Sequence, residues 1–194
     1  MPAETTPFSQ GDSLKGKILI AMPDMADPRF SHGVIVMLEH GPDGAMGVMI
    51  NKPLEAVQFS DLLDQLEIKV TAPDIENYPV YFGGPVEIGR GFVLHSRDLL
   101  LAHSLVLPPI GITTSLDMLG RLAQGKGPEK SLFCLGYTGW TAGQLDEEIK
   151  QNAWLHAPLK ADVLFNVPVE KRWDAAMALV GIDPDHLSAV SGHA

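Results

Sequence analysis

Residues 16–53 constrain the fold of this chain more than any other part of the sequence. They contain three apolar runs, each about the length of a β-strand, at residues 18–22, 34–38 and 45–50. Two segments rich in Pro, Gly, Asp and His separate these runs. None of the runs alternates apolar with polar residues, as a strand with one face in water does. The pattern therefore predicts three buried strands, around which the rest of the chain packs.

The second and third runs predict an antiparallel hairpin. Between them, the segment HGPDG at residues 40–44 places Pro at the second position and Gly at the fourth position of a type I turn. Two strand-like runs joined by such a short turn are typical of a β-hairpin.

Strands and helices are mixed beyond residue 53. Helical spacing or capping residues predict helices at residues 59–68, 116–123 and 144–154 and from Pro168 onwards. Apolar runs predict further strands at residues 79–82, 91–95, 99–107 (as an edge strand), 131–137 and 162–166. This order favours the α+β class, with a mainly antiparallel or mixed sheet curled into a small barrel.

The length of 194 residues suits one sizeable domain. The start of the chain is polar, rich in Pro and Thr, and without periodicity. We therefore predict a flexible arm over residues 1–15, a single domain over residues 16–183 and a C-terminal tail over residues 184–194.

Composition and charge argue against several classes of protein. No apolar run approaches the roughly 18–20 residues that a membrane span needs. The first residues have neither the basic start nor the apolar core of a secretory signal, so we expect a cytoplasmic protein. The formal net charge is −10, and no cluster of Lys and Arg is present. Direct binding to nucleic acid or to an anionic membrane is therefore not expected.

Cys134 is the only cysteine, which excludes an intramolecular disulfide and fits a reducing compartment. Its apolar neighbours in SLFCLGY favour a buried small side chain. The alternative is a redox or thiol site, which requires an exposed thiol with a low pKa.

The sequence contains none of the common catalytic or cofactor-binding motifs, such as a nucleophile elbow, a P-loop or a dinucleotide-binding glycine fingerprint. The seven His are scattered without ligand spacing, so we predict neither a metal nor a cofactor.

Residues 24–32 carry one candidate acid–base group, Asp24, Asp27 and His32, because carboxylate plus imidazole is the usual equipment for proton transfer. The alternative is that these side chains only stabilise turns beside Pro23 and Pro28.

Three other polar, glycine-containing connections predict a binding site for a small anion. In a strand-to-helix loop at residues 136–143, glycines would let backbone N–H groups and a helix start approach the ligand. Lys52 or Arg90 would add a cation, and Trp140 would add a stacking face. The alternative is that the glycines make tight turns and Thr141 caps a helix. The candidate residues are Asn51, Lys52, Gly83, Gly84, Arg90, Gly136, Gly139, Trp140 and Thr141.

Several blocks of the sequence together resemble the AlgH/YqgE family of bacterial proteins. They are GKILIAMPDMADPRFSHGVIVMLEH, GAMGVMINKP, FGGPVEIGRGFVLHS, LGYTGWTAGQLDEEI and NAWL. The resemblance implies an α+β fold with a small closed barrel and a bifurcated sheet, surrounded by helices. It carries over no catalytic residues. Most members are uncharacterised, and one branch is described as a transcriptional regulator of alginate synthesis.

Two hypotheses follow. The first is a cytoplasmic, non-catalytic regulatory or binding protein that acts on another protein or a small ligand. The second is an enzyme or sensor that binds a small anionic metabolite, a nucleotide or phosphoester, near Gly136–Gly143. The second requires that loop to meet Asn51, Lys52, Gly83 and Arg90 in space.

Overall fold

The computed structural model describes residues 13–188 of the chain. In this range nine strands form one sheet: β1 (Lys17–Ala21), β2 (Val34–Gly41), β3 (Gly44–Met49), β4 (Val80–Phe82), β5 (Val86–His95), β6 (Leu105–Leu107), β7 (Ile110–Thr113), β8 (Ser131–Thr141) and β9 (Trp154–Pro158). The α-helices are α1 (Phe59–Gln65), α2 (Leu116–Ala123), α3 (Gln144–Lys150), α4 (Ala161–Phe165), α5 (Arg172–Leu179) and α6 (Pro184–Ser188). Short 3-10 turns lie at Ile75–Asn77 and Val169–Lys171.

The sheet is a curled, almost wholly antiparallel one, which confirms the predicted α+β class. Its strand order is β6-β7-β5-β8-β3-β2-β1-β9, and β4 pairs with β8 in parallel. The sheet branches at β8, since β4 pairs with the first half of β8 and β3 with the second half. The path ends at β6 and β9, which do not pair with each other. Because the two edge strands do not pair, the curled sheet forms a half-barrel, whereas the family resemblance implied a closed barrel.

The three strands predicted from residues 16–53 are confirmed, and so is the hairpin. Gly41 pairs with Gly44, so that Pro42 and Asp43 form the turn between β2 and β3. Both faces of β1 and β2 are covered: alternate residues enter two different hydrophobic clusters. Burial on both faces explains why these runs are apolar throughout instead of alternating.

β8 is longer than predicted, and this corrects the prediction of a loop at residues 136–143. Gly136 has φ 75°, and beyond it the strand continues by pairing with β3, up to Thr141 opposite Gly44. The predicted loop is therefore a strand over most of its length, because β3 supplies hydrogen-bonding partners that are distant in sequence.

Some other elements differ from the prediction in type or length. Residues 161–165 form α4 and not a strand, with Val163 and Leu164 buried in the core. β7 and β9 were not predicted, and the predicted strand at residues 99–107 is reduced to edge strand β6. Short apolar segments fit either a helix or a strand, and only the available neighbour decides between them.

The two ends of the chain lie partly outside the described residues. Of the predicted arm, residues 1–12 lie outside them; Ser13 Oγ donates to His40 O at 3.0 Å, and the Leu14 N–H donates to His40 Nδ1 at 3.0 Å. The predicted tail begins with α6, and residues 189–194 again lie outside the range. Within residues 13–188, no helix is long and apolar enough to cross a membrane.

Candidate functional site

Two neighbouring clefts share Met22 and Asp24 in their walls and contain many of the polar residues singled out in the sequence. The first cleft has a volume of about 740 Å³ and is lined by Met22, Pro23, Asp24, His32, Asn51, Lys52, Val169, Glu170, Trp173, Asp174, Pro184 and Asp185. The second cleft has a volume of about 650 Å³, and its main side chains are Met25, Asp27, Arg29, Phe30, Trp140, Gln144, Glu148 and Trp154.

Asn51 and Lys52 hold one side of the first cleft together. The Asn51 side chain accepts a hydrogen bond from the Val34 N–H at 2.8 Å and donates one to His32 O at 2.7 Å. Lys52 Nζ donates to Ser31 O. Partial burial lowers the pKa of the Lys52 amine. The end of β3 and the loop before β2 therefore form one fixed wall.

α5 also contributes to the wall of the first cleft, through Trp173 and Asp174. The Trp173 indole packs edge-on against His32, with 4.4 Å between the ring centroids, and donates to Ala21 O at 2.8 Å. Arg172 Nη1 donates to Ile50 O at 2.5 Å, and its guanidinium lies 5.1 Å from the centre of the Tyr81 ring. The contribution of α5 to this cleft was not predicted from the sequence. The adjacent Arg and Trp at the start of the last long helix were the only available signal.

The first cleft is acidic. Asp24, Glu170, Asp174 and Asp185 line it, against one lysine and one histidine. A ligand that carries a positive charge is therefore favoured over an anion.

Aromatic rings form much of the second cleft. Trp154 contacts Phe30 and Trp140 edge-on, with centroid distances of 6.0 Å and 6.1 Å. Both indole N–H groups donate to Glu148 Oε2, at 3.0 Å from Trp140 and 2.9 Å from Trp154. Gln144 Nε2 donates to the other oxygen of this carboxylate at 2.9 Å. Glu148 thus joins α3 to β8 and β9, and its hydrogen bonds to charged oxygens are the stronger kind.

Asp27 and Arg29 form an ion pair in the second cleft. Arg29 Nη2 lies 2.7 Å from Asp27 Oδ2, and the Arg29 N–H donates to Asp27 Oδ1 at 3.0 Å. The side-chain hydrogen bonds from Arg29 lower the pKa of Asp27. A carboxylate with a lowered pKa is a weaker general base. This geometry fits the alternative in which the Asp27 side chain stabilises a turn beside Pro28.

The candidate acid–base group is divided between the two clefts. Asp24 borders both clefts, Asp27 lines the second and His32 lines the first. Within residues 13–188, no hydrogen bond or ion pair joins His32 to either aspartate; its Nδ1 lies 3.1 Å from Ser31 Oγ.

The candidate anion-binding residues are likewise brought together only in part. Asn51 and Lys52 lie in the first cleft, whereas Gly139 and Trp140 lie in the second. Thr141 is exposed, and its N–H donates to Gln144 Oε1 at 3.0 Å. The N-cap of α3 is Gly143, so the predicted capping of this helix by Thr141 is wrong. Arg90 lies outside both clefts, with its guanidinium 5.1 Å from the Phe92 ring centre and 3.5 Å from Glu87.

Gly83, Gly84 and Gly136 pack against backbone. A Cβ on Gly84 would lie 2.1 Å from the carbonyl carbon of Tyr137, and one on Gly136 would lie 2.3 Å from Gly84 O. These glycines allow the chain before β5 to cross β8 at close range, a role that differs from the tight turns considered for the glycines in the sequence.

Cys134 is fully buried, and burial raises the pKa of its thiol to about 12. The prediction of a buried small side chain is confirmed, and the alternative of an exposed reactive thiol is wrong. Among residues 13–188 no group of three or more His, Cys, Asp or Glu side chains is placed to hold a metal ion.

Comparison with known sequences gives a consistent result. The AlgH-like family matches residues 18–185. The UPF0301 protein of Rhodopseudomonas palustris is 44% identical over 202 residues, which cover 100% of this chain and 92% of that protein. The UPF0301 protein of Chromobacterium violaceum is 47% identical over 183 residues, which cover 94% of this chain and 98% of that protein.

Two solved structures are similar to this one. The solution structure of the AlgH protein from Pseudomonas aeruginosa has a TM-score of 0.77 and 43% identity, and covers 97% of this chain and 100% of that one. A crystal structure of a Corynebacterium diphtheriae protein has a TM-score of 0.66 and 21% identity, and covers 84% of each chain. The second similarity concerns the fold alone.

Proposed function

Since the chain belongs to the AlgH-like family, we propose that it is a non-catalytic regulatory protein that binds a small ligand in the first cleft. The observation that carries the proposal is the fixed wall at Asn51 and Lys52. Both side chains form hydrogen bonds with backbone groups at the start of β2 or in the loop before it. Such hydrogen bonds hold a site in shape before a ligand arrives, which lowers the entropic cost of binding.

The division of the acid–base group supports binding over catalysis. General acid–base catalysis needs its donor and acceptor within hydrogen-bonding reach of one reacting centre. Asp27 lines a different cleft from His32 and is held in an ion pair with Arg29. Asp24 shares the first cleft with His32, but no hydrogen bond or ion pair joins the two side chains in residues 13–188.

The charge of the first cleft supports a ligand with an amine or another cationic group. Its carboxylates outnumber its basic side chains, and the Lys52 amine already donates to Ser31 O. Opposite charges at short range inside a partly enclosed cleft attract more strongly than they do in bulk water.

The regulatory part of the proposal is supported by the family resemblance, because one branch of the family is described as a transcriptional regulator. The net charge of −10 disfavours contact with DNA phosphates. We therefore propose that regulation takes place through contact with another protein.

A thermal-shift screen with charge-matched compounds tests the proposal. Polyamines and basic amino acids form one arm, and nucleotides, sugar phosphates and citrate form the other. We expect stabilisation by members of the cationic arm. A ligand at about 100 times its Kd adds about 2.7 kcal/mol to the free energy of unfolding.

Variants of the cleft then locate the binding site. The double variant Glu170→Gln and Asp174→Asn should remove most of the thermal shift, because it removes two carboxylates of the first cleft. Glu55→Gln, at an exposed position outside both clefts, is the control and should leave the shift unchanged. Stabilisation by anions only, or chemical conversion of the bound compound in mass spectrometry, would contradict the proposal.

The second candidate is an enzyme or sensor for a small anion near Gly136–Gly143. The specific observation in its favour is that Arg29, Gly139 and Trp140 share the second cleft. For this candidate we expect a nucleotide or a phosphoester to raise the melting temperature. Arg29→Gln should abolish that thermal shift, whereas the double variant of the first cleft should leave it unchanged.

A further inference from the structure

An apolar groove lies away from both clefts, between α1, α2 and an irregular part of β5. Its volume is about 470 Å³, and it shares no lining residue with either cleft. Its lining includes the buried Leu63, Val93 and Phe133. We call it the α1–α2 groove.

Large apolar side chains are exposed around this groove. Leu66 is 45% exposed, Ile88 67% and Leu116 59%, and all three line the groove. Ile88 lies where the pairing of β5 with β8 shifts between Val86 and Gly91, and it has no register partner on β8. Clusters of exposed apolar side chains around a concave surface are typical of protein-binding sites.

α1 forms one side of the groove, and the charges on and just after this helix indicate the kind of partner. α1 carries Asp61 and Asp64, and Glu67 follows it; all three are exposed, and no ion pair to them is formed by any described residue. The last turn of α1 contains no basic residue. The carboxylates of Asp64 and Glu67 therefore face the negative end of the helix dipole without compensation. Glu67 also has φ 57°, a backbone conformation that favours glycine.

We propose that the α1–α2 groove binds a basic amphipathic helix of a partner protein. Apolar side chains of that helix would cover Leu66, Ile88 and Leu116, and its Lys or Arg side chains would pair with the carboxylates of α1. Two flanking helices of seven and eight residues offer a surface about 10–12 Å long, or about two turns of a bound helix.

Other occupants fit the charges less well. A second copy of this chain, related by a two-fold axis, would bring the same α1 carboxylates of both copies close together. An anionic lipid or a fatty acid would bring a negative head group to a groove flanked by α1, whose charged side chains are all acidic, and like charges repel.

The test uses a synthetic, fluorescein-labelled peptide of about 18 residues with Leu on one helical face and Lys on the other. A control peptide has Glu in place of each Lys. In fluorescence anisotropy with the full chain, we expect the Lys peptide to bind with a micromolar Kd and the Glu peptide to bind at least ten times more weakly. Binding of the Lys peptide should weaken further as salt rises, since salt screens exposed charges.

Variants separate the groove from the rest of the surface. Ile88→Asp should weaken binding of the Lys peptide about tenfold or more, because it places a charge in the apolar contact. Val106→Asp is the matched control, since Val106 is 42% exposed on edge strand β6 and lies outside the groove. It should bind like the unchanged protein. Both substituted side chains are exposed, so neither variant needs the core to rearrange.

A third variant tests the role of the carboxylates on and just after α1. The combined substitution Asp61→Asn, Asp64→Asn and Glu67→Gln should weaken binding and reduce its dependence on salt.

Equal binding of the Lys and Glu peptides, or equal loss in the Ile88 and Val106 variants, would overturn the proposal. Light scattering that shows a dimer broken by Ile88→Asp would assign the groove to a second copy, and uptake into anionic vesicles that depends on Ile88 would assign it to lipid. These readouts do not use the first cleft, so they stand apart from the test of the proposed function.

Discussion

Single side chains join different elements of this fold. Glu148 accepts from the indoles of Trp140 and Trp154, and Arg172 donates to the carbonyl of Ile50. Each such hydrogen bond contributes about 0.5–3 kcal/mol, with the charged ones at the upper end. The walls of both clefts therefore depend on a few individual residues.

Cys134 provides a prediction at the same scale. Because burial raises the pKa of its thiol to about 12, the native protein should resist alkylation by iodoacetamide at about pH 8, whereas the urea-unfolded protein should react quickly. Timed mass spectrometry measures both rates. Equal rates in the native and unfolded protein would show an accessible thiol.

The same pKa shift has a consequence for stability. The folded-state pKa of Cys134 is raised above the unfolded value of about 8.5. The thiol therefore contributes stability that is fully present below about pH 8.5 and is lost as the pH rises toward the folded-state pKa.

At the scale of elements, β8 organises the sheet. Its first half pairs with β5 and β4, and its second half pairs with β3. The crossing of the chain at Gly84 over this strand leaves no space for a side chain. The geometry therefore gives this glycine a role in close backbone contact.

A pair of alanine variants tests this crossing. Gly84→Ala would place a Cβ 2.1 Å from the Tyr137 backbone, at φ 156°, and should lower the free energy of unfolding by about 3 kcal/mol or more. Gly89→Ala is the control on β5, since no atom lies within 4 Å of its Cβ position. It should change stability by less than about 0.5 kcal/mol. Urea unfolding curves measure both, and similar values for the two variants would contradict the close contact.

At the scale of the whole molecule, the two clefts and the α1–α2 groove differ in chemistry. The first cleft is acidic, the second is largely aromatic, and the α1–α2 groove is apolar, with carboxylates on the flanking helix α1. None of them combines a basic surface with exposed rings, as single-strand nucleic-acid sites do.

Direct DNA binding should accordingly be weak. With a net charge of −10, we expect no sequence-specific shift of genomic fragments in a gel mobility assay, because few phosphates can be neutralised. A supercharged basic protein of similar size serves as the positive control for the assay. A tight complex with one fragment that withstands competitor DNA would contradict this expectation and would require a basic surface.

The sequence by itself determined the elements whose signals are local. The hairpin of β2 and β3 follows from the turn at Pro42 and Asp43, and α2 follows from leucines at helical spacing and the glycine after it. The apolar runs of β1 and β2 also required burial on both faces. These features depend on neighbours within a few residues, so periodicity and turn chemistry are sufficient to predict them.

Only the tertiary structure decided which distant segments meet. The pairing of β9 with β1, the continuation of β8 along β3, and the wall that α5 adds to the first cleft leave no periodic signal. The division of Asp27 and His32 between two clefts has the same origin. Such contacts join residues far apart along the chain, and they are selected by the packing of the whole core and not by local preference.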